Sequence, residues 1–418
     1  MPILAVDFGT SNSAAAVLDQ GRPRRIRIEP QGDTLPTAVF FPEDTRDMLI
    51  GNAAGDALVA GEDGQYMRAL KSVLGTSLLH ENRRIGLTRR TLSDVITAFL
   101  VQVKHRAEAQ TGQVFDHVLS GRPVHFHSSD AARDQRAKED LRACYQAAGF
   151  AQVDFLPEPE AAARASLTQT GGALGLIVDI GGGTSDFSVF RQAKAGVEIL
   201  ASHGIRLGGT DFDHALSMTH VMPHLGLGGQ LRRSFGEGLL PVPRAIYVEL
   251  STWARIPFLY TRETARAVAD MQMHAVSPVA MDRLARVIDN QSGHDLAFAA
   301  ERGKIAANAG DTGATIDMSQ AETGLTAHVD AASMAAALAG YTDALQGAMQ
   351  QTLSDAGVAP DRIGSVVLVG GSSLMAMVES AAQDLCPKAN MRRSDAFTAV
   401  VDGLALATGE LQGSPGPT

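Results

Sequence analysis

Residues 4–17, LAVDFGTSNSAAAV, run apolar as far as Asp7, pass through Gly9 and a short polar stretch, and then resume apolar positions. That pattern predicts a strand, a glycine turn and a second strand. Residues 176–190, LIVDIGGGTSDFSVF, repeat the order with Asp179 in the place of Asp7. The repetition predicts two lobes built on one plan. A third glycine turn closes the apolar run SVVLVGGSS at residues 365–373 and leads into a helical pattern over 374–385 that stops at Pro387, so this one joins a strand to a helix.

Apolar residues spaced three and four apart predict helices over 92–110, 130–148, 331–356 and 395–411. Helices alternating with sheets make the fold α/β. Two segments interrupt the alternation: 31–88, rich in Gly, Asp and Arg, and roughly 214–329, mostly helical after Pro243. We read them as insertions, one into lobe I (1–172, completed by the helix 395–411) and one into lobe II (173–394). Residues 412–418 are too polar and kinked to pack and are expected to be a disordered tail with nothing folded after it.

Composition narrows the class. The 418 residues are 45% hydrophobic, enough for more than one core, and 42 glycines beside 5% aromatic residues suit layered sheets packed with small aliphatic side chains. A net charge of -10 argues against a nucleic-acid partner or an anionic membrane surface. Cys144 and Cys386 form no CxxC pair, so neither a disulfide framework nor a cysteine zinc site is expected, and a reducing, cytoplasmic location follows. The first apolar run ends at Asp7, too early for a signal peptide, and no apolar stretch approaches the ~20 residues of a membrane helix.

The glycine turns suggest chemistry. Phosphate oxygens are held well by backbone N–H groups in concave turns, and glycine permits the dihedrals and the close approach such turns need. A nucleoside triphosphate brings magnesium, which prefers oxygen ligands and retains water, so acids at the strand ends beside the turns are expected; Asp7, Asp179 and Asp186 are placed so. Lys71 in ALKSVLG is a candidate to neutralise charge in phosphoryl transfer. Glu158 in LPEPEAAARAS, where Pro159 opens a helix, is a candidate to orient water.

Eight segments, DFGTSNS, LKSVLG, GRPVHF, PEPEAAARA, DIGGGTSDFSVF, RLGGTDFD, AERGKIAAN and VVLVGGSS, stand in the order found in DnaK-type chaperones and span nearly the whole chain. The chain thus resembles the nucleotide-binding domain of the 70-kDa heat-shock proteins, within the actin-like ATPase superfamily. The resemblance implies a two-lobed fold of duplicated ribonuclease H-like lobes, each with an inserted subdomain, that binds ATP or ADP with Mg2+. It makes Gly9, Thr10, Ser11 and Asn12 the first phosphate loop and Gly181, Gly182, Gly183 and Thr184 the second, with Asp7 and Asp179 acting on the magnesium through water. Thr184 and Asp186 line the γ-phosphate, and Lys71, Glu158, Asp179 and Thr184 are catalytic. Pro123 is a hinge-switch residue. Gly370, Gly371 and Ser372 lie beneath the nucleoside, Glu301, Lys304 and Asn308 fall at ribose and base positions, and Gly208, Gly209 and Asp395 complete the nucleotide contacts.

Two departures qualify the resemblance. Where the family sandwiches adenine between arginines, this chain has Ile305 and Leu374, which implies aliphatic stacking and weaker adenine discrimination. The chain also stops soon after Leu411, where the family continues into a peptide-binding domain; with the GRPVHF wording, this is most like the short YegD-like branch. The implied function is a slow ATPase acting as a conformational switch toward an unknown protein partner, as a monomer or weak oligomer. A filament-forming actin-like ATPase and a sugar-kinase-like phosphotransferase are the alternatives.

Plainer readings stand beside these. An isolated hairpin aspartate satisfies its own turn amides, an isolated Lys71 is solvated, and an isolated Glu158 is a helix-start acid. Repetition and shared order set those readings aside here. His117, His125 and His127 share one face if the segment stays extended, but strand packing explains them better than zinc. The run RPRRIRI at 22–28 reads as the wet edge of a twisted strand, and Trp253 as core.

Overall fold

The computed structural model describes residues 2–30, 32–165, 173–193, 196–234, 236–393 and 398–413. Two compact units separate, Met1–Gly209 with Thr342–Thr418, and Thr210–Tyr341.

The chain opens with β1 (Ile3–Phe8), β2 (Asn12–Asp19), β3 (Arg22–Arg25) and β4 (Thr34–Pro36). β1 is apolar at every position but Asp7, which is half-buried while the other five are buried, as a strand covered on both faces must be. The first insertion follows: β5 (Ala38–Pro42), β6 (Leu49–Ile50), α1 (Asn52–Val59), β7 (Gly64–Arg68), a short 3-10 turn at Leu70–Val73, and the hairpin β8 (Arg83–Ile85) and β9 (Thr88–Arg90). Next come α2 (Leu92–Thr111), β10 (His117–Arg122), α3 (Ala131–Ala147), β11 (Gln152–Pro157) and α4 (Glu158–Ala165). Helix α2 begins with a reciprocal capping box between Thr91 and Asp94 and ends at Gly112, left-handed at φ 68°.

The second sheet starts with β12 (Leu174–Ile180), β13 (Ser185–Ala193) and β14 (Gly196–Ile205). The unit Thr210–Tyr341 then holds, besides most of α5 (Gly209–Leu216), β15 (Gln230–Arg232), β16 (Leu239–Pro241), α6 (Ala245–Leu250), α7 (Arg262–His274), α8 (Pro278–Asp289), α9 (Gly293–Asn308), β17 (Thr315–Asp317) and β18 (Thr326–His328). After α10 (Ala331–Asp355), the first unit is completed by β19 (Ser365–Val369), α11 (Ala376–Leu385), β20 (Asn390–Arg393) and α12 (Ala399–Gly413).

The two main sheets share one plan. The first has the order β11-β10-β1-β2-β3, and the second β20-β19-β12-β13-β14. Each is an antiparallel three-strand meander (β1-β2-β3; β12-β13-β14) with two parallel strands added beside its first member. Helices α4 and α12 share one buried cluster with both sheets: Ala161, Ala162, Val401 and Leu404 pack with Ala5, Ala16 and Leu119 of the first and Ile177, Val367 and Val369 of the second. At their crossing Gly403 lies so close to Ala161 that a Cβ would run into the Ala161 backbone.

Several expected boundaries shift. Residues 371–374 form a 3-10 turn, and the helix begins at Ala376 because Gly370 (φ 81°) first turns the chain left-handed. Helix α12 includes Gln412 and Gly413, placed above in the tail, while Asp395 and residues 414–418 lie outside the described residues. Strand β10 ends at Arg122, so the three histidines share no strand face. Their rings meet separate partners: His117 Asp154 at 2.8 Å, His125 Asp134 at 3.4 Å, and His127 the Leu74 carbonyl at 2.8 Å. Arg24 pairs with Asp19, and Arg25 grips Asp402 with two bonds, a charged edge strand as expected. Trp253 is core, its Nε1–H donating to Asp213 at 3.1 Å and its ring meeting Phe298 edge-on.

Candidate functional site

Both repeated hairpins lie in the first unit, and their turns meet. A Cβ on Gly182 would run into the Ser11 hydroxyl, and one on Gly183 would stand 3.1 Å from the Thr10 hydroxyl. Gly9 is needed by its own turn, since a Cβ there would strike the Asn12 carbonyl. The second turn closes with the Gly181 amide donating to the Thr184 carbonyl at 3.0 Å.

Two further glycine turns nest behind the second loop. The Gly209 amide donates to the Gly181 carbonyl at 3.0 Å, and a Cβ on Gly208 would stand 2.5 Å from the Gly183 nitrogen. A Cβ on Gly209 would meet the Ser372 hydroxyl, and one on Gly370 would stand 2.8 Å from an Asp179 carboxylate oxygen. Side-chain-free backbone from four separate stretches of sequence therefore gathers at one place.

The charged residues border these turns. Lys71, on the turn Leu70–Val73, and Glu158, the first residue of α4, are both buried and joined Nζ to Oε1 at 2.6 Å. Asp7 and Asp179 stand at corresponding positions near the ends of β1 and β12. Asp7 faces Ala14 across its hairpin, whereas Asp179 faces Asp186. Asp186 is buried and accepts the Val124 amide at 2.6 Å, next to Pro123.

Burial dominates the electrostatics. It raises Asp7 from the usual 3.8 to about 7, helped by the Glu158 carboxylate and opposed by Lys71. Burial likewise carries Asp179 well above the carboxylate range, with Glu158, Asp186 and Asp7 adding to the rise. Asp186 is raised by burial and then by Glu158, against the Val124 amide and Lys71. Burial alone lowers Lys71, but Glu158 and Asp7 outweigh it and keep the ammonium charged. One cation thus faces four carboxylates.

That imbalance fits a hard divalent cation, since every donor is oxygen and added positive charge relieves the repulsion. Among the described residues no three carboxylate, histidine or cysteine side chains form a cage for a bare ion. An ion held here would therefore take part of its coordination from water.

The residues expected at ribose and base positions divide between the units. Gly370, Gly371, Ser372 and Leu374 belong to the first, Leu374 being exposed. Glu301, Lys304, Ile305 and Asn308 lie on α9 in the second, where Ile305 is exposed and Lys304 is buried in a 2.6 Å ion pair with Asp213. That pair, which Trp253 also joins through Asp213, has no signal in the local sequence because its members are 91 positions apart.

Among the described residues no helix is long and apolar enough to cross a membrane. The sequence model of the Hsp70 protein family matches residues 3–226 and 283–416. The chain is 26% identical over 416 residues to the chaperone protein DnaK of Halobacterium salinarum, covering 98% of this chain and 56% of that protein. It is 26% identical over 434 residues to DnaK of Methanothermobacter thermautotrophicus, covering 98% and 60% respectively. The DnaK of Endomicrobium trichonymphae is 33% identical over 225 residues, 51% of this chain. The chain spans 56–60% of the length of the curated relatives it matches end to end.

Proposed function

Because the chain belongs to the Hsp70 family and has its actin-like ATPase fold, we propose that it binds ATP and ADP with magnesium, hydrolyses ATP slowly to ADP and phosphate, and uses the cycle as a conformational switch toward a protein partner. Members of this family are ATPases of the chaperone type. The observation that carries the reading is the meeting of the two hairpin turns beside the buried Lys71–Glu158 pair.

The turns at residues 9–12 and 181–184 hold the phosphate chain from two sides through backbone N–H groups, which cost little reorganisation when charge develops. Asp7 and Asp179 would hold magnesium through water, and the ion would supply neutralising charge at the phosphates. Glu158 orients a water for attack, and Lys71, fixed as a cation, faces the charge that builds on the phosphate. Thr184 and Asp186 border the γ-phosphate. The Lys71–Glu158 pair supports water activation over transfer to a sugar hydroxyl, which calls for an aspartate base beside a metabolite.

The two repeats act as lobes I and II, divided near residues 172 and 173, and Pro123, beside the Val124 amide that meets Asp186, is the hinge-switch residue behind the site. We place the protein in the short YegD-like branch and in the cytoplasm, as a monomer or weak oligomer with no nucleic-acid or membrane partner. Ile305 and Leu374, each exposed in its own unit and aliphatic where the family has arginine, imply weaker adenine discrimination.

Calorimetric titration with ADP and GDP, with magnesium and with excess chelator, tests binding, and phosphate release from ATP tests turnover. Magnesium-dependent ADP binding and slow turnover are expected. No magnesium-dependent affinity for any nucleotide would remove the proposal.

A further inference from the structure

The turn that carries Lys71 is short and strained. Ala69, buried, precedes it in the left-handed region at φ 60°, an unfavourable place for a residue with a Cβ. A four-residue 3-10 turn has few internal bonds to hold it there. Beyond the bonds from the Ser72 amide and hydroxyl to the Ala69 carbonyl and from the Leu74 amide to the Lys71 carbonyl, its restraints come from elsewhere in the chain.

The His127 ring donates from Nε2–H to the Leu74 carbonyl at 2.8 Å in a buried position. A carbonyl can only accept, so this contact fixes the tautomer. Burial also lowers the His127 pKa, which keeps the ring neutral. The approach depends on Gly75, left-handed at φ 73°, where a Cβ would stand 3.1 Å from His127 Nε2. The Gly75 amide is itself held by Asp140 at 2.9 Å. From the end of β14, Arg206 donates to the Ser72 carbonyl at 3.1 Å.

His127 is anchored in turn. Its amide and that of Phe126 both donate to Asp134, at 3.1 and 2.6 Å. Three residues earlier the Val124 amide meets Asp186, and the Phe126 ring centroid lies 6.0 Å from Lys71 Nζ. One short segment therefore touches a carboxylate beside the second loop and also clamps the backbone that presents Lys71.

We infer that His127 is a positioning residue for Lys71, holding the lysine turn through the Leu74 carbonyl, with Arg206 as a weaker second restraint from the other sheet. The inference rests on the reading of Lys71 as part of an ATP-hydrolysing site. A lysine displaced by a fraction of an ångström still adds charge but no longer meets the reacting phosphate well, so the loss falls on turnover more than on binding.

The test compares wild type, His127→Ala and His127→Gln, the last retaining an N–H donor of similar reach. Two quantities are measured: hydrogen–deuterium exchange at the Val73, Leu74, Gly75 and Thr76 amides in nucleotide-free protein, and ATP turnover alongside magnesium-ADP affinity. His127→Ala is expected to speed exchange in that stretch and lower kcat about tenfold or more, with ADP affinity within about twofold. His127→Gln is expected to restore both in large part. Unchanged exchange and turnover in His127→Ala overturn the inference, as does equal damage in both variants with a general loss of protection across the fold. A wild type that hydrolyses no ATP overturns the ATPase reading instead, and exchange at the four amides then decides whether His127 holds the turn.

Discussion

Asp179 and Asp186 are directly opposed across β12 and β13, whereas the corresponding pair in the first hairpin is Asp7 and Ala14. The duplicated plan is thus broken at one position, and the break puts a second buried carboxylate on one side of the site only. Three aspartates and Glu158 around a single ammonium make a site that is costly to keep empty at neutral pH.

Asp7 should therefore make the nucleotide-free protein less stable as pH rises. Its folded pKa, about 7, lies above the usual 3.8, so the stability it contributes is full below 3.8 and is lost as pH climbs through about 7. Melting temperatures at pH 6 and pH 8 check this. Asp7→Asn should flatten the pH slope and stabilise the ligand-free protein by about 1–2 kcal/mol at pH 8, while weakening magnesium-dependent nucleotide binding. A variant that melts lower than wild type at pH 8 contradicts the argument.

Lys71→Ala should leave ADP affinity within a few fold and lower ATP turnover by about a hundredfold or more. Single-turnover phosphate release separates the two quantities. Unchanged turnover would remove Lys71 from the catalytic set.

Gly208→Ala should weaken nucleotide binding by about tenfold or more, since its Cβ would press on the Gly182 and Gly183 backbone, which cannot step aside as a side chain can. Gly21→Ala, at a position with open space around it, is the control for overall folding, although its left-handed φ of 77° costs about 1 kcal/mol by itself. Comparable ADP affinity in Gly208→Ala and wild type would show that the second loop tolerates displacement.

Gly403→Ala should destabilise the fold by about 1–3 kcal/mol by forcing α12 away from α4. Urea unfolding measures it. A change under about 0.5 kcal/mol would mean that the helices separate freely.

The repeated hairpins were legible because a strand written as an apolar run, ended by Asp and Gly, leaves a local signal. Helices α2, α3 and α10 were legible for the same reason, with boundaries within a residue or so of those expected. The start of α11 was missed because a left-handed glycine and a 3-10 turn intervene, a backbone choice that periodicity does not record. Lys71 and Glu158 were candidates on chemical grounds that only the family resemblance raised above a solvated lysine and a helix-start acid, and nothing in either local segment tells that they meet at 2.6 Å across 87 positions. Lys304, expected at a ribose or base position, likewise holds a buried aspartate of its own unit that its local sequence does not announce. Contacts such as Val124 with Asp186 and His127 with Leu74 exist only once distant strands are stacked.

Helix α12 fills the layer against β1, β2 and β3 although almost four hundred residues separate it from them. On the ribosome, these strands must wait for a cover made almost four hundred residues later, roughly 20–80 s at ordinary elongation rates. During that interval their apolar faces are open to water and to other nascent chains. A protein related to chaperones is, by the connectivity of its own sheet, a client for protection while it is being made.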